Sequence, residues 1–186
     1  MKTKAQELLR KVYGHHSFRP GQQELVEGLL DNRDVLGVMP TGSGKSLCYQ
    51  IPALLSSGTT LVISPLISLM KDQVTALKLR GIAAAFLNSS MNEEDYHETA
   101  YQAACGAYKI LYVAPERLQA PGFLDMCQHM DIPLVAVDEA HCISQWGQDF
   151  RPSYLKIPEF VASLPRRPVL GAFTATATPN VRKDIL

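Results

Sequence analysis

Val35-Leu36-Gly37-Val38-Met39 runs directly into Pro40-Thr41-Gly42-Ser43-Gly44-Lys45-Ser46, and a helical pattern follows. An apolar run ending in a Gly-rich turn and a Lys-Ser pair reads as strand, loop and helix N-terminus, the arrangement that cradles a polyphosphate. Successive backbone N–H groups must point inward around the phosphates, and only small residues let the chain wrap that tightly. Gly42, Ser43 and Gly44 meet that need, with Thr41 opening the turn. The following helix adds its positive dipole end. Lys45 then sets an ammonium beside the β- and γ-phosphates, and Ser46 offers a hydroxyl to Mg²⁺. The full phosphate-loop pattern has Gly where this chain has Met39.

Outward from this loop, short apolar runs alternate with helical patterns. Strands are predicted at 35–39, 60–64, 84–88, 110–113, 134–138 and 169–173. They are nearly continuous in apolar residues and bounded by Gly, Pro, Asp or Ser, which marks strands buried on both faces of a parallel sheet. Helices are predicted at 4–13, 22–30, 46–55, 67–79, 92–103 and 153–163, with Pro52 expected to end or kink the third. The alternation implies an α/β fold with right-handed crossovers, a single domain without repeats or linkers.

The strand at 134–138 ends in Asp138-Glu139-Ala140-His141. A parallel sheet presents its carboxyl edge to ligands, so two carboxylates there suit a Mg²⁺–triphosphate site. Asp138 is expected to hold Mg²⁺ and Glu139 to polarise the attacking water. His141 is expected to link this site to motion elsewhere, and no metal-ligand spacing accompanies it.

Composition bounds the alternatives. In 186 residues, 46% are apolar and 19% charged, an ordinary globular balance. Lys plus Arg and Asp plus Glu number 18 each, so net charge lends no support to nucleic-acid binding, and that case rests on local motifs. No apolar run reaches a membrane span and no signal-peptide core opens the chain, so a cytoplasmic protein without membrane contact is expected. The four cysteines are scattered without a Cys-x-x-Cys pair, so reduced, mostly buried thiols are expected rather than zinc or disulfides.

Directly after the box comes Cys142-Ile143-Ser144-Gln145-Trp146-Gly147-Gln148-Asp149-Phe150-Arg151-Pro152-Ser153-Tyr154. Trp146, Phe150 and Tyr154 offer flat faces for unpaired bases, with Arg151 available to a phosphate or a cation–π contact. This stretch resembles the aromatic-rich loop of RecQ helicases, which in that family couples single-stranded DNA to ATP hydrolysis.

Further motifs agree with the resemblance along nearly the whole chain. Phe18-Arg19-Pro20-Gly21-Gln22 looks like the family's adenine-recognition element, which implies that Gln22 pairs with adenine, helped by Arg19. His15 stands where the family often has an aromatic residue that stacks on the base. Ser64-Pro65-Leu66-Ile67-Ser68-Leu69-Met70-Lys71 resembles motif Ia, implying backbone contacts to DNA from Ser64, Pro65, Ser68 and Lys71. Pro115-Glu116-Arg117 resembles an element that tracks the same strand through Arg117. Phe173-Thr174-Ala175-Thr176-Ala177 resembles motif III, whose hydroxyls relay between the carboxylate box and DNA.

The resemblance thus implies a RecA-like P-loop three-layer sandwich with a mainly parallel sheet. It implies the first motor domain of an ATP-dependent 3′ to 5′ DNA helicase that serves recombination and repair, with ATP and Mg²⁺ as ligands. Single-stranded DNA and duplex junctions are the implied partners. The family's second RecA-like domain with its arginine finger, its zinc-binding region and its winged helix are not expected within these residues. The isolated chain is expected to be monomeric and to hydrolyse ATP poorly. An RNA helicase core and a non-catalytic binding module remain as alternatives.

Overall fold

Six short strands form one sheet: β1 (Val35–Val38), β2 (Thr60–Ile63), β3 (Ala84–Leu87), β4 (Ile110–Val113), β5 (Leu134–Val137) and β6 (Val169–Thr174). The computed structural model describes residues 2–147 and 149–186, so Gln148 of the aromatic-rich loop lies outside the described residues. All neighbouring strands run parallel in the order β1-β6-β5-β2-β4-β3. Every strand therefore ends at one edge, and the phosphate loop, motif Ia, the Pro-Glu-Arg element, the carboxylate box and motif III lie at strand ends there, while the Phe18–Gln22 element joins the first two helices.

Period-two alternation divides the apolar side chains between two layers. Leu61, Ile63, Val135 and Val137 face a core with Phe123, Phe160 and Val161. Val62, Ala136, Tyr112 and Phe173 face the opposite core with Tyr49, Met70 and Val74. Helices α3 (Lys45–Leu55) and α4 (Ile67–Leu79) cover the second face, and α5 (Glu93–Ala104), α6 (Pro121–Gln128) and α7 (Ile157–Ser163) cover the first. Outside α3, helices α1 (Lys2–Tyr13) and α2 (Gln22–Leu30) close a smaller cluster of Ala5, Leu9, Val26, Leu30 and Ile51. The result is the expected α/β/α sandwich. Burying each large apolar side chain stabilises by about 1.5–3 kcal/mol, so this frame holds the edge loops in place.

Strand positions agree with the sequence to within a residue or two. The helix expected at 153–163 divides into a 3₁₀ turn, Pro152–Lys156, and then α7, because Pro158 lacks the N–H that a continuous helix needs there. Helix α3 passes through Pro52 and ends at Leu55, and the Ser56 N–H caps the Pro52 carbonyl at 2.9 Å. Helices α6 and α8 (Pro179–Ile185) were not expected. Both start with Pro in the first turn, and Thr178 caps α8 by accepting the Val181 N–H, so start signals were present on elements too short to show a period.

Candidate functional site

The phosphate loop leaves β1 at the sheet edge and turns through Gly42 (φ 78°) and Gly44 (φ 84°), both left-handed. A Cβ on Gly44 would lie 2.6 Å from the Gln22 amide nitrogen, so glycine is needed there for space as well as conformation. Met39 has no such need. Its N–H continues the ladder to the Thr174 carbonyl at 2.9 Å, and its buried side chain meets Cys48. That explains why a residue other than glycine is tolerated at this position. The Lys45 ammonium lies 3.2 Å from the Met39 carbonyl, folded back over the loop.

Gln22 is buried and bonded on every side. Its amide nitrogen donates to the Ser43 and Gly44 carbonyls at 3.0 and 3.2 Å, and its oxygen accepts the Arg19 N–H at 2.8 Å. The Arg19 guanidinium donates to the Gly42 carbonyl at 2.8 Å. The two adenine-element residues thus clamp the phosphate loop itself. Pairing of Gln22 with a base requires one of these bonds to exchange. His15 and Thr41 are exposed nearby in sequence to the clamp, and Ser46 is half-buried in the first turn of α3.

Asp138 follows β5 and is 8% exposed. Burial, then the neighbouring Glu139 charge, pushes its carboxyl up to about 6, while Lys45 and the Glu139 N–H at 3.0 Å oppose the shift. Glu139 occupies the left-handed region at φ 49°, a rare conformation for a residue with a Cβ. This turn brings its carboxylate 3.2 Å from His141 Nδ1, which also lies 2.9 Å from Thr174 Oγ1. Thr174 in turn donates to the Thr176 carbonyl at 3.0 Å. The carboxylate box and motif III are therefore joined through the imidazole. Thr174, buried at the end of β6, joins the site through this tertiary contact, which the Phe173–Ala177 segment alone does not reveal.

The aromatic-rich loop hangs from the box by backbone and side-chain bonds. The Arg151 N–H donates to the Cys142 carbonyl at 2.9 Å, and Tyr154 Oη donates to the Asp138 carbonyl at 2.8 Å. Trp146 is 76% exposed and Phe150 half-buried, so both keep a face toward solvent. Tyr154 does not. It is fully buried, and its expected role as a stacking platform is corrected to that of an anchor under Asp138. Arg151 reaches the Pro65 carbonyl at 3.4 Å and Asp149 at 3.5 Å, joining this loop to motif Ia.

Along the rest of the edge, Ser68 and Lys71 are exposed on the first turns of α4, beside half-buried Pro65. Ser64 is 2% exposed with its hydroxyl unpartnered, so direct contact from this side chain to DNA is corrected: β2 ends one residue too deep in the core. Arg117 stacks over the Tyr96 ring at 4.7 Å, with its guanidinium half-buried in that contact. An apolar cavity of about 650 Å³ lies apart from the phosphate loop, between β1, β6 and α7, with Val35, Leu36, Val161 and Leu170 in its walls.

These groups form an edge with a phosphate cradle, a buried carboxylate able to hold a cation, a second carboxylate beside it, and an exposed aromatic loop tied to both. The described thiols are all free, with Cys105 exposed and the other three buried. No helix among the described residues is long and apolar enough to cross a membrane.

Comparison with known proteins adds the lineage. The family model described as DEAD/DEAH box helicase matches residues 19–185. The ATP-dependent DNA helicase RecQ of Bacillus subtilis is 52% identical over 186 residues, covering 100% of this chain and 32% of that protein. RecQ of Haemophilus influenzae is 49% identical over 185 residues, covering 100% of this chain and 30% of its own length. The chain thus spans about a third of the length of these curated relatives. Among solved structures, a hypothetical ATP-dependent RNA helicase from Sulfolobus tokodaii aligns with a TM-score of 0.75 at 22% identity, covering 100% of this chain and 54% of that one. At that identity the likeness speaks for the fold.

Proposed function

The chain belongs to the DEAD/DEAH box helicase family, and from that premise we propose that it is the first motor domain of a RecQ-type DNA helicase. It binds ATP with Mg²⁺ at the phosphate loop and couples hydrolysis to movement along single-stranded DNA. The observation that carries this reading is the chain of contacts from phosphate loop to box to aromatic loop, found in a sequence about half identical to RecQ helicases along its whole length.

The residues present fit the implied ligands. A left-handed Gly42–Gly44 cradle with no room for a Cβ at Gly44 suits a polyphosphate. A buried carboxylate at Asp138 with the Ser46 hydroxyl supplies the oxygen donors that Mg²⁺ prefers. When bound, Mg²⁺ neutralises charge on the phosphate oxygens. Lys45 exchanges the Met39 carbonyl for phosphate oxygens, and Glu139 orients the attacking water and accepts its proton. His141, held by Glu139 and Thr174, transmits the change at the box to motif III, and Tyr154 and Arg151 transmit it to the loop and motif Ia.

Exposed Trp146, half-buried Phe150, Arg151, Ser68, Lys71 and Arg117 form the DNA side, where bases stack and phosphates are held. The parent enzyme works 3′ to 5′ in the cytoplasm, in recombination and repair, at junctions of single- and double-stranded DNA. Residues 1–186 act as one domain, and in a parent of the relatives' length a second RecA-like domain closes the nucleotide site. An arginine finger from such a domain is worth about 10³–10⁵ in rate, so the chain alone should hydrolyse ATP slowly.

Calorimetry of ATP and ADP binding with Mg²⁺, on this chain and on Lys45→Ala, tests the reading. Binding that is lost in the variant supports it. Equal binding by both proteins would remove the phosphate loop from the function.

A further inference from the structure

Beside the nucleotide site, three donors of different chemistry meet in the loop that follows the box. His141, Cys142 and Asp149 each present one ligand atom, all within 4.8 Å of one another. Cys142 Sγ lies 3.9 Å from His141 Nε2 and 3.8 Å from Asp149 Oδ2. Nothing in the sequence spacing announced this cluster. It forms because the backbone closes from Arg151 to Cys142 at 2.9 Å and brings Asp149 back over the start of the loop.

The tautomer of His141 follows from its neighbours. Thr174 Oγ1 gives its hydrogen to the Thr176 carbonyl, so toward Nδ1 it can only accept. Glu139 Oε2, 3.2 Å from the same nitrogen, is an acceptor as well. Nδ1 therefore carries the ring hydrogen, and Nε2 of the neutral imidazole turns a lone pair toward Cys142. A carboxylate behind the ring is the arrangement that orients a metal-ligating histidine.

The spacing suits a small tetrahedral ion. Bonds of about 2.3 Å to sulfur and about 2.0–2.1 Å to nitrogen place those two atoms about 3.6 Å apart. The observed sulfur gaps of 3.9 and 3.8 Å exceed this by only a few tenths of an ångström, and the imidazole and the Asp149 carboxylate lie within 4.8 Å of each other, so the exposed Asp149 side chain moves inward to complete the set. Mixed sulfur, nitrogen and oxygen donors select the zinc class over Mg²⁺, which takes oxygen.

We propose that His141, Cys142 and Asp149 bind a divalent cation of the zinc class, with water in the fourth position. As the metal–sulfur bond forms, the Cys142 thiol proton passes to solvent. Asp149 leaves its 3.5 Å contact with Arg151 to join the ion. The cation then ties the box to the loop that contains Trp146. This site uses neither Asp138 nor Ser46, so its ligands are separate from those offered to Mg²⁺, but it shares His141 with the relay from Glu139 to Thr174.

The test uses the chain with Cys105→Ser, which removes the exposed thiol, in excess Mg²⁺. Co²⁺ is titrated as a coloured substitute and then displaced by Zn²⁺. Trp146 is the sole tryptophan and lies inside the loop, so its fluorescence reports Zn²⁺ binding directly. The expected result is saturation at one ion per chain, a thiolate-to-cobalt charge-transfer band, and a matching change in Trp146 emission. The band should vanish in Cys142→Ser, and affinity should fall at least tenfold in Asp149→Asn. No band, or an affinity untouched by Asp149→Asn, would overturn the site. Asp149 is exposed, so that variant decides the matter even if Cys142→Ser does not fold.

Discussion

His141 Nδ1 lies 2.9 Å from Thr174 Oγ1, across the gap between the carboxylate box and the end of β6. Replacing Thr174 with Val keeps the shape and deletes the hydroxyl. A double-mutant cycle of Thr174→Val with His141→Ala, read by urea denaturation, should return a coupling of about 0.5–1.5 kcal/mol. A coupling indistinguishable from zero would mean that the contact transmits nothing between the two motifs.

Gln22 donates to two loop carbonyls, and its substitutions should therefore fall in a definite order. Gln22→Ala removes the donor to the half-buried Ser43 carbonyl, while the Gly44 carbonyl keeps the Leu47 N–H at 3.1 Å, and should cost about 0.5–1.5 kcal/mol in nucleotide-free protein. Gln22→Glu turns both donor contacts into oxygen–oxygen repulsion and should be worse. Were the amide there only for adenine, neither change would alter the stability of nucleotide-free protein, and denaturation curves separate the cases.

Asp138 is destabilising in the ligand-free chain. Its carboxyl is raised to about 6 in the folded state against an ordinary 3.8, so the folded state binds the proton more tightly than the unfolded state. The associated stability is fully present below pH 3.8 and is lost as pH rises through 6. Asp138→Asn should therefore be more stable than the parent chain at pH 7.5, by of order 1–3 kcal/mol, with the gain shrinking toward pH 4.5. Thermal melts at the two pH values check the sign. A variant less stable at pH 7.5 would refute the burial argument.

Trp146 and Tyr154 should separate binding from stability. Trp146→Ala removes an exposed side chain and should shift stability by less than about 0.5 kcal/mol. It should weaken single-stranded DNA binding by about 1–3 kcal/mol if one base stacks there. Tyr154→Phe loses the bond to the Asp138 carbonyl and should cost about 1 kcal/mol of stability. Fluorescence anisotropy with labelled DNA, and with RNA of the same sequence as competitor, measures the first effect. A preference for RNA would favour an RNA helicase.

Local chemistry determined much of this protein from sequence alone. Apolar runs bounded by turn residues specified the six strands: β2, β4 and β5 are buried along their whole length and leave an unbroken apolar signature, while β1, at the sheet edge, was legible from the Gly-rich turn that ends it. The Gly-rich turn at Gly42–Gly44 and the paired carboxylates Asp138 and Glu139 were legible because their chemistry depends on adjacent residues.

What depends on distant partners was decided only by the tertiary structure. Strand order places β6 between β1 and β5, and so sets Thr174 against His141. Gln22 turned out to grip the phosphate loop, and Tyr154 and Ser64 to be buried, because burial is a property of neighbours that no single segment contains. The left-handed turn at Glu139 and the meeting of His141, Cys142 and Asp149 have the same origin. Each is imposed by closing a loop against a rigid sheet edge, where backbone hydrogen bonds override local preference.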